Sequence, residues 1–181
     1  HRPAFGRVPR GGLQLREITL AGFVPALLRQ CFSPLREGPV LLALNKGIAM
    51  LIPAIQCANS RSISPPAGHY AHVCIAGGFV MISGQLPINA QGQALADRSF
   101  EEQTRQVLAN LEHCLARAGV GKDRLVQVRV YVTDIDQWPT FNRLYEQWLG
   151  DHRPARAVAG VSELHFGSAV EVEAMALAAT A

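Results

Sequence analysis

A chain of 181 residues, 49 % hydrophobic and 17 % charged, can bury one core and is too mixed in composition to be disordered or fibrous. Its formal charge of +3 is uneven: residues 1–60 carry seven Arg and Lys against two Asp and Glu (+5), and residues 61–181 carry ten against twelve (−2). The body therefore has no positive excess for a phosphate backbone, and no apolar run reaches the roughly 18 residues of a membrane span.

Residues 1–54 are poorly patterned and basic. HRPAFGRVPRGG is turn-rich, and the apolar fragments FVPALL and PVLLAL are interrupted by Pro39 and by the pair Asn45–Lys46. GIAMLIPAIQCA (47–58) has some signal-peptide character, but it is short, contains Pro53 and follows only Lys46 as a positive flank. The chain opens on histidine, while Met50 stands just ahead of the well-patterned region. The expected organisation is an extension over 1–54, with a native start near Met50 and a leader or upstream sequence before it, and one domain over 55–181. An N-terminus well before Met50, found by mass spectrometry of natively expressed protein, rejects that start.

Cys31, Cys57, Cys74 and Cys114 show no C-x-x-C spacing. That pattern predicts neither a zinc site nor a disulfide framework, and favours a reducing, cytoplasmic compartment. His69 and His72 flank Tyr70 in a turn-like stretch with no cysteine or carboxylate near, so a plain loop outweighs metal ligation there.

From residue 70 the periodicities are clear. YAHVCIA (70–76) and GFVMISG (78–84) flank Gly77–Gly78, a hairpin signal. Ser99 and Glu102 form a capping box ahead of a helix carrying Phe100, Val107, Leu108, Leu111 and Leu115 on one side, ended by Gly119. RLVQVRVYVTD (124–134) alternates, with Val126, Val128, Val130 and Val132 on one face and Gln127, Arg129 and Tyr131 on the other. A second helix fits DQWPTFNRLYEQWLG, with Asp136 as N-cap, Pro139 in the first turn, and Phe141, Leu144, Tyr145 and Trp148 on one side. AVAGV (157–161) and AVEVEAMAL (169–177) close the chain as strands. The order β-β-α-β-α-β-β predicts an α+β sheet of about five strands with both helices on one face. Glu171, Glu173 and Met175 then share the other face with Gln127, Arg129 and Tyr131, a mixture suited to a wet interface between copies of the chain.

A series of motifs sits at consistent spacing: Gly68-x-Tyr70, Ser83-Gly84-Gln85 followed by Pro87, EEQTRQ (101–106), VYVTD (130–134), Asn142, HRPAR (152–156) and EVEA (171–174). Over residues 56–181 this set resembles the Rid family, the reactive intermediate deaminases also called YjgF proteins. The resemblance implies a chorismate-mutase-like fold, a homotrimer whose sheets form a central barrel, and clefts between subunits. It further implies hydrolysis of enamines and imines such as 2-aminoacrylate and 2-iminopropionate to a 2-keto acid and ammonia, with no metal or organic cofactor. Ala157-Val158 stands where relatives often carry Ser-Cys or Ser-Thr, leaving only the backbone at Val158 to act. Ala159 and Val172 are small departures, and His165 replaces a frequent proline at the cleft rim.

The residue types fit that chemistry. Arg156 offers a planar fork for the substrate carboxylate, or alternatively bonds an interface carboxylate. Glu171 is the expected proton carrier, with Glu173 as rival; an interface ion pair is the alternative role. Tyr70 and Ser83 are expected to hold the substrate amine or the attacking water, Gly84 to allow close backbone approach, and Asn142 to reach in from a neighbouring subunit or brace the site. No histidine stands at a recognisable spacing from Ser83, so covalent catalysis is not expected. The guanidinium and the carboxylate are expected to converge in one crevice, from neighbouring strands. A non-catalytic, carboxylate-binding or chaperone-like trimer is the alternative function.

Overall fold

The computed structural model describes residues 41–43, 49–51 and 54–179. Most of the N-terminal extension, and with it the expected leader, lies outside the described residues. Within it, Leu41–Ala43 (β1) and Ala49–Leu51 (β2) pair antiparallel.

The body is one six-stranded sheet with two helices. Its strands are Gln56–Ala58 (β3), Val73–Ala76 (β4), Phe79–Gln85 (β5), Leu125–Val132 (β6), Ala155–Gly160 (β7) and Val170–Leu177 (β8), and its helices Phe100–Arg117 (α1) and Trp138–Leu149 (α2). The spatial order is β3-β4-β5-β8-β6-β7, with only β6 and β7 parallel. From β4 onward the chain follows the expected β-β-α-β-α-β-β order. The short edge strand β3 is an addition that three residues of sequence did not announce.

Two local expectations are corrected. The β6 register slips between Leu125 and Gln127 against β8, so Leu125 is buried and Val126 is turned out to solvent. An inserted residue breaks the two-residue period at that point. Helix α2 does not begin on an Asp136 cap: Asp134 Oδ1 accepts the Asp136 N–H (3.0 Å) at the head of a 3-10 turn, Ile135–Gln137, which leads into the helix.

The capping box of α1 is present, with the Ser99 hydroxyl accepting the Glu102 N–H (3.3 Å) and the Glu102 carboxylate accepting the Ser99 N–H (3.0 Å). Val107, Leu108, Leu111, Cys114 and Leu115 of α1, with Phe141, Leu144 and Tyr145 of α2, are buried together with Val80, Ile82, Val128, Val130, Val132, Val170 and Val172 of the sheet. Burial pushes the Cys114 thiol up to about 12, which makes it inert at neutral pH.

Among the described residues no helix covers the opposite face of the sheet. There Arg129 Nη1 and the Tyr131 hydroxyl both donate to Glu173 Oε1, each at 3.0 Å. Glu173 is thereby engaged as a structural acceptor.

The cysteine expectation fails. Cys57 and Cys74 lie directly opposite each other on β3 and β4 and are joined by a disulfide. Spacing in sequence gave no sign of it because cross-strand pairing, not local sequence, brings the two together. Among the described residues no helix is long and apolar enough to cross a membrane. Replacing Cys57 and Cys74 by serine is expected to lower the unfolding free energy by about 3 kcal/mol, the loop-closure value for a span of some fifteen residues. A denaturation midpoint indifferent to both reductant and the double substitution would contradict the bridge.

Candidate active site

The residues singled out in the sequence separate into two groups. The first lines a cavity of about 420 Å³ that includes Tyr70, Ser83, Gly84, His165, Phe166 and Glu171. Ser83 and Gly84 lie where the β5–β8 register jumps between Ile82 and Gln85, so both stand outside the ladder beside Glu171. Gly84 lets the Glu171 side chain lie against the backbone: a Cβ on it would fall within the Glu171 carboxylate, whose Cδ would be only 2.9 Å away. The Ser83 hydroxyl donates to the Ala71 carbonyl (2.7 Å), which leaves its lone pairs to accept from a ligand or water. Tyr70 is 49 % exposed and follows a loop whose ends are tied, the His72 N–H donating to Asn59 Oδ1 (2.9 Å) and the Ser60 N–H to His72 Nδ1 (3.2 Å). His72 thus serves the loop, and burial lowers its pKa.

Burial is also the main cause that lifts the Glu171 carboxyl above its ordinary range; nearby His165 opposes the rise and Glu173 adds to it.

The second group surrounds a recess of about 610 Å³ between α2 and β7. Arg156 donates from Nη2 to Asn142 Oδ1 (2.8 Å) and lies 4.9 Å from the centre of the Tyr145 ring. Burial raises the Tyr145 phenol to about 12, against the pull of the Arg156 charge. Among the described residues Arg156 makes no salt bridge, so the remaining edge of its fork is unengaged by any carboxylate. Asn142 braces Arg156 within the same chain.

The expected convergence of Arg156 and Glu171 does not occur within one chain. Strands β7 and β8 are not neighbours, because β6 lies between them. Arg156 stands opposite Val128, on the face covered by the helices, and Glu171 stands opposite Tyr131, on the uncovered face. Two strands consecutive in sequence need not be adjacent in the sheet, and the period of two fixes only which side of its own strand a residue takes. Val158, two residues beyond Arg156, packs against the core and lines neither cavity.

The family model described as Endoribonuclease L-PSP matches residues 61–178. The chain belongs to this family. Among curated L-PSP family relatives, a RutC family protein of Aquifex aeolicus is 36 % identical over 114 residues, 62 % of this chain and 90 % of that protein. The human 2-iminobutanoate/2-iminopropanoate deaminase is 31 % identical over 110 residues, 61 % of this chain and 80 % of the human one. A crystal structure of YyfA from Yersinia pestis, described as a member of the conserved Rid protein family, superposes with a TM-score of 0.66 at 32 % identity, covering 68 % of this chain and 99 % of that one. The Rid resemblance and the α+β, chorismate-mutase-like fold are both borne out.

Within this L-PSP fold the sequence marked His165 only as a rim departure and missed Phe166. Their one signal was the departure from proline at His165; that Phe166 adopts a left-handed backbone (φ 61°) and is 57 % exposed could not be read from its neighbours.

Two measurements follow from the first cavity. Gly84→Ala is expected to displace the Glu171 side chain with little change in fold, visible in a crystal structure of the variant; an unmoved carboxylate would contradict the close approach. Because burial raises the Glu171 pKa, its contribution to stability is present below the ordinary value of 4.5 and lost as pH rises through the raised value. Glu171→Gln is therefore expected to raise the Tm at pH 7 and to leave it unchanged at low pH, and a lower Tm at pH 7 would reverse the assignment.

Proposed function

We propose that the protein hydrolyses reactive 2-imino acids, and the 2-aminoacrylate-type enamines that tautomerise to them, releasing a 2-keto acid and ammonia. The observation that carries the proposal is the pair of complementary half-sites. One presents a guanidinium with no carboxylate partner among the described residues; the other presents a half-buried carboxylate beside Ser83 and Tyr70.

Because the two halves lie on opposite faces, one chain cannot use them on one small molecule. A cyclic oligomer, in which the α2–β7 edge of one subunit meets the uncovered face of the next, makes each interface a complete site. The mixed polar face on β6 and β8 supports such an assembly, and the homotrimer implied by the Rid motifs is the form proposed. The name of the human relative supports the reaction class.

In the proposed site Arg156, held flat by Asn142 and the Tyr145 ring, binds the substrate carboxylate through two parallel N–H bonds. Water held by Ser83 and Tyr70 attacks C2 of the iminium and passes a proton to Glu171, which forms a carbinolamine. Protonated Glu171 then gives that proton to the nitrogen. Ammonia leaves with the C–N bonding pair, the hydroxyl oxygen forms the C=O bond, and its proton goes to Glu171, which passes it to the departing ammonia and returns to the carboxylate. The charge balance closes as iminium plus water giving ketone plus ammonium.

The alternative, binding of small carboxylates without turnover, gains nothing from a second negative charge beside the ligand. RNA cleavage, the activity in the family model's description, finds no support in a body of charge −2.

Arg156→Ala is expected to abolish keto-acid release from freshly generated 2-aminoacrylate with the oligomer intact. Turnover that survives the change would end the proposal. Glu171→Gln is expected to be equally inactive, yet mixing the two inactive variants with subunit exchange should restore about a quarter of wild-type activity, the statistical share of interfaces that join two intact halves. No recovery would remove the shared site. The acid limb of kcat/KM is expected above 4.5, in line with the burial of Glu171.

A further inference from the structure

A second cavity, of about 160 Å³, opens behind the Glu171 cavity and shares with it Ala67, Tyr70, Gly84, Leu86 and Phe166. Its remaining apolar wall is Ile63, Pro65, Ile88 and Ala94. The polar side chains at its base are already engaged. Asn110 donates to the Leu86 and Ile88 carbonyls (3.0 and 2.9 Å) and accepts from Gln106 (2.8 Å), and the His72 ring accepts from the Ser60 N–H and bonds the Ser64 backbone. A guest there finds hydrocarbon and satisfied dipoles, which favours an apolar group over a polar one. The size is informative too, since a cavity of about 150 Å³ lined by such side chains admits a benzene ring.

Two exposed aromatic rings stand at the junction of the cavities, Tyr70 at 49 % and Phe166 at 57 % exposure. Phe166 keeps a left-handed backbone (φ 61°, ψ 22°), a conformation disfavoured for any side chain with a Cβ. An exposed phenylalanine held in that conformation beside a cleft points to a role for the ring itself.

We propose that Tyr70 and Phe166 form the gate of a side-chain pocket that selects 2-imino acids bearing a large apolar group, aromatic or branched. The inference rests on the deaminase reading and names the substrate class of the same site. With the carboxylate on Arg156 and C2 beside Glu171, the substrate side chain passes between the two rings into the cavity bounded by Ile63, Leu86 and Ile88.

The test compares kcat/KM for imines made in place from phenylalanine, leucine and alanine by an amino-acid oxidase. The wild type is expected to favour the first two over the third by about tenfold or more, the range an apolar pocket provides. Phe166→Ala is expected to collapse that ratio, and Phe166→Leu, which keeps apolar bulk on the same strained backbone, to restore most of it. A wild type that prefers the alanine-derived imine, or a ratio unmoved by Phe166→Ala, overturns the pocket, including the case in which that variant only loosens the oligomer. Calorimetry with phenylpyruvate and pyruvate separates the two readings. A protein that deaminates nothing yet binds phenylpyruvate at least tenfold more tightly keeps the pocket and loses the deaminase reading; one that deaminates with equal product affinities loses the pocket alone.

Discussion

The alternation of side chains along β8 is the constraint on which the rest of the structure depends. Val170, Val172 and Ala176 are buried beneath the helices, while Glu171 and Glu173 leave by the other face. Because β8 lies between β5 and β6, its valines form the middle of the core and its glutamates the middle of the uncovered face. The core and the wall of the Glu171 cavity therefore share one strand, one residue apart. A slip of a single residue would bury two carboxylates and expose the valines, and the core excludes it.

The two glutamates differ through their neighbours. Glu173 sits between Arg129 and Tyr131, which supply two donors to one oxygen and fix it as a structural acceptor. Glu171 is two residues on, where β5 bulges and Gly84 lacks a side chain, so its carboxylate rests against backbone in a half-buried cavity. Burial lifts the Glu171 carboxyl above its ordinary range, whereas Glu173 spends one oxygen on two donors.

Around that cavity the chain invests in fixing a loop. The disulfide between Cys57 and Cys74, the Asn59 and Ser60 bonds to His72, and the Arg117 bond to the Asn59 carbonyl (3.1 Å) all close the neck of the segment that carries Tyr70. On the far side, Arg156 is held by an amide and an aromatic face instead of an opposing charge. A guanidinium so held keeps its orientation without surrendering its capacity for a carboxylate, which an ion pair within the chain would have consumed.

Much of the fold was legible in the sequence because it rests on local periodicity. The capping box at Ser99 and Glu102, the Gly77–Gly78 hairpin and the valine alternation of β6 and β8 each depend on residues only a few positions apart, as did the motifs that indicated the family. Periodicity also assigned Glu171 and Arg129 to a common face. It did not place strands side by side: that β8 enters between β5 and β6, and that β6 parts Arg156 from Glu171, are long-range choices set by how the crossovers run over the helices. The Cys57–Cys74 bridge, the bulge that turns Val126 outward and the strained Phe166 belong to the same class, since each is decided by a partner distant in sequence or by the packing of the whole. The sequence by itself determined on which side of each strand the candidate residues stand; only the tertiary structure decided that they gather in two cavities on opposite faces, because adjacency in a sheet is a property of the assembled chain.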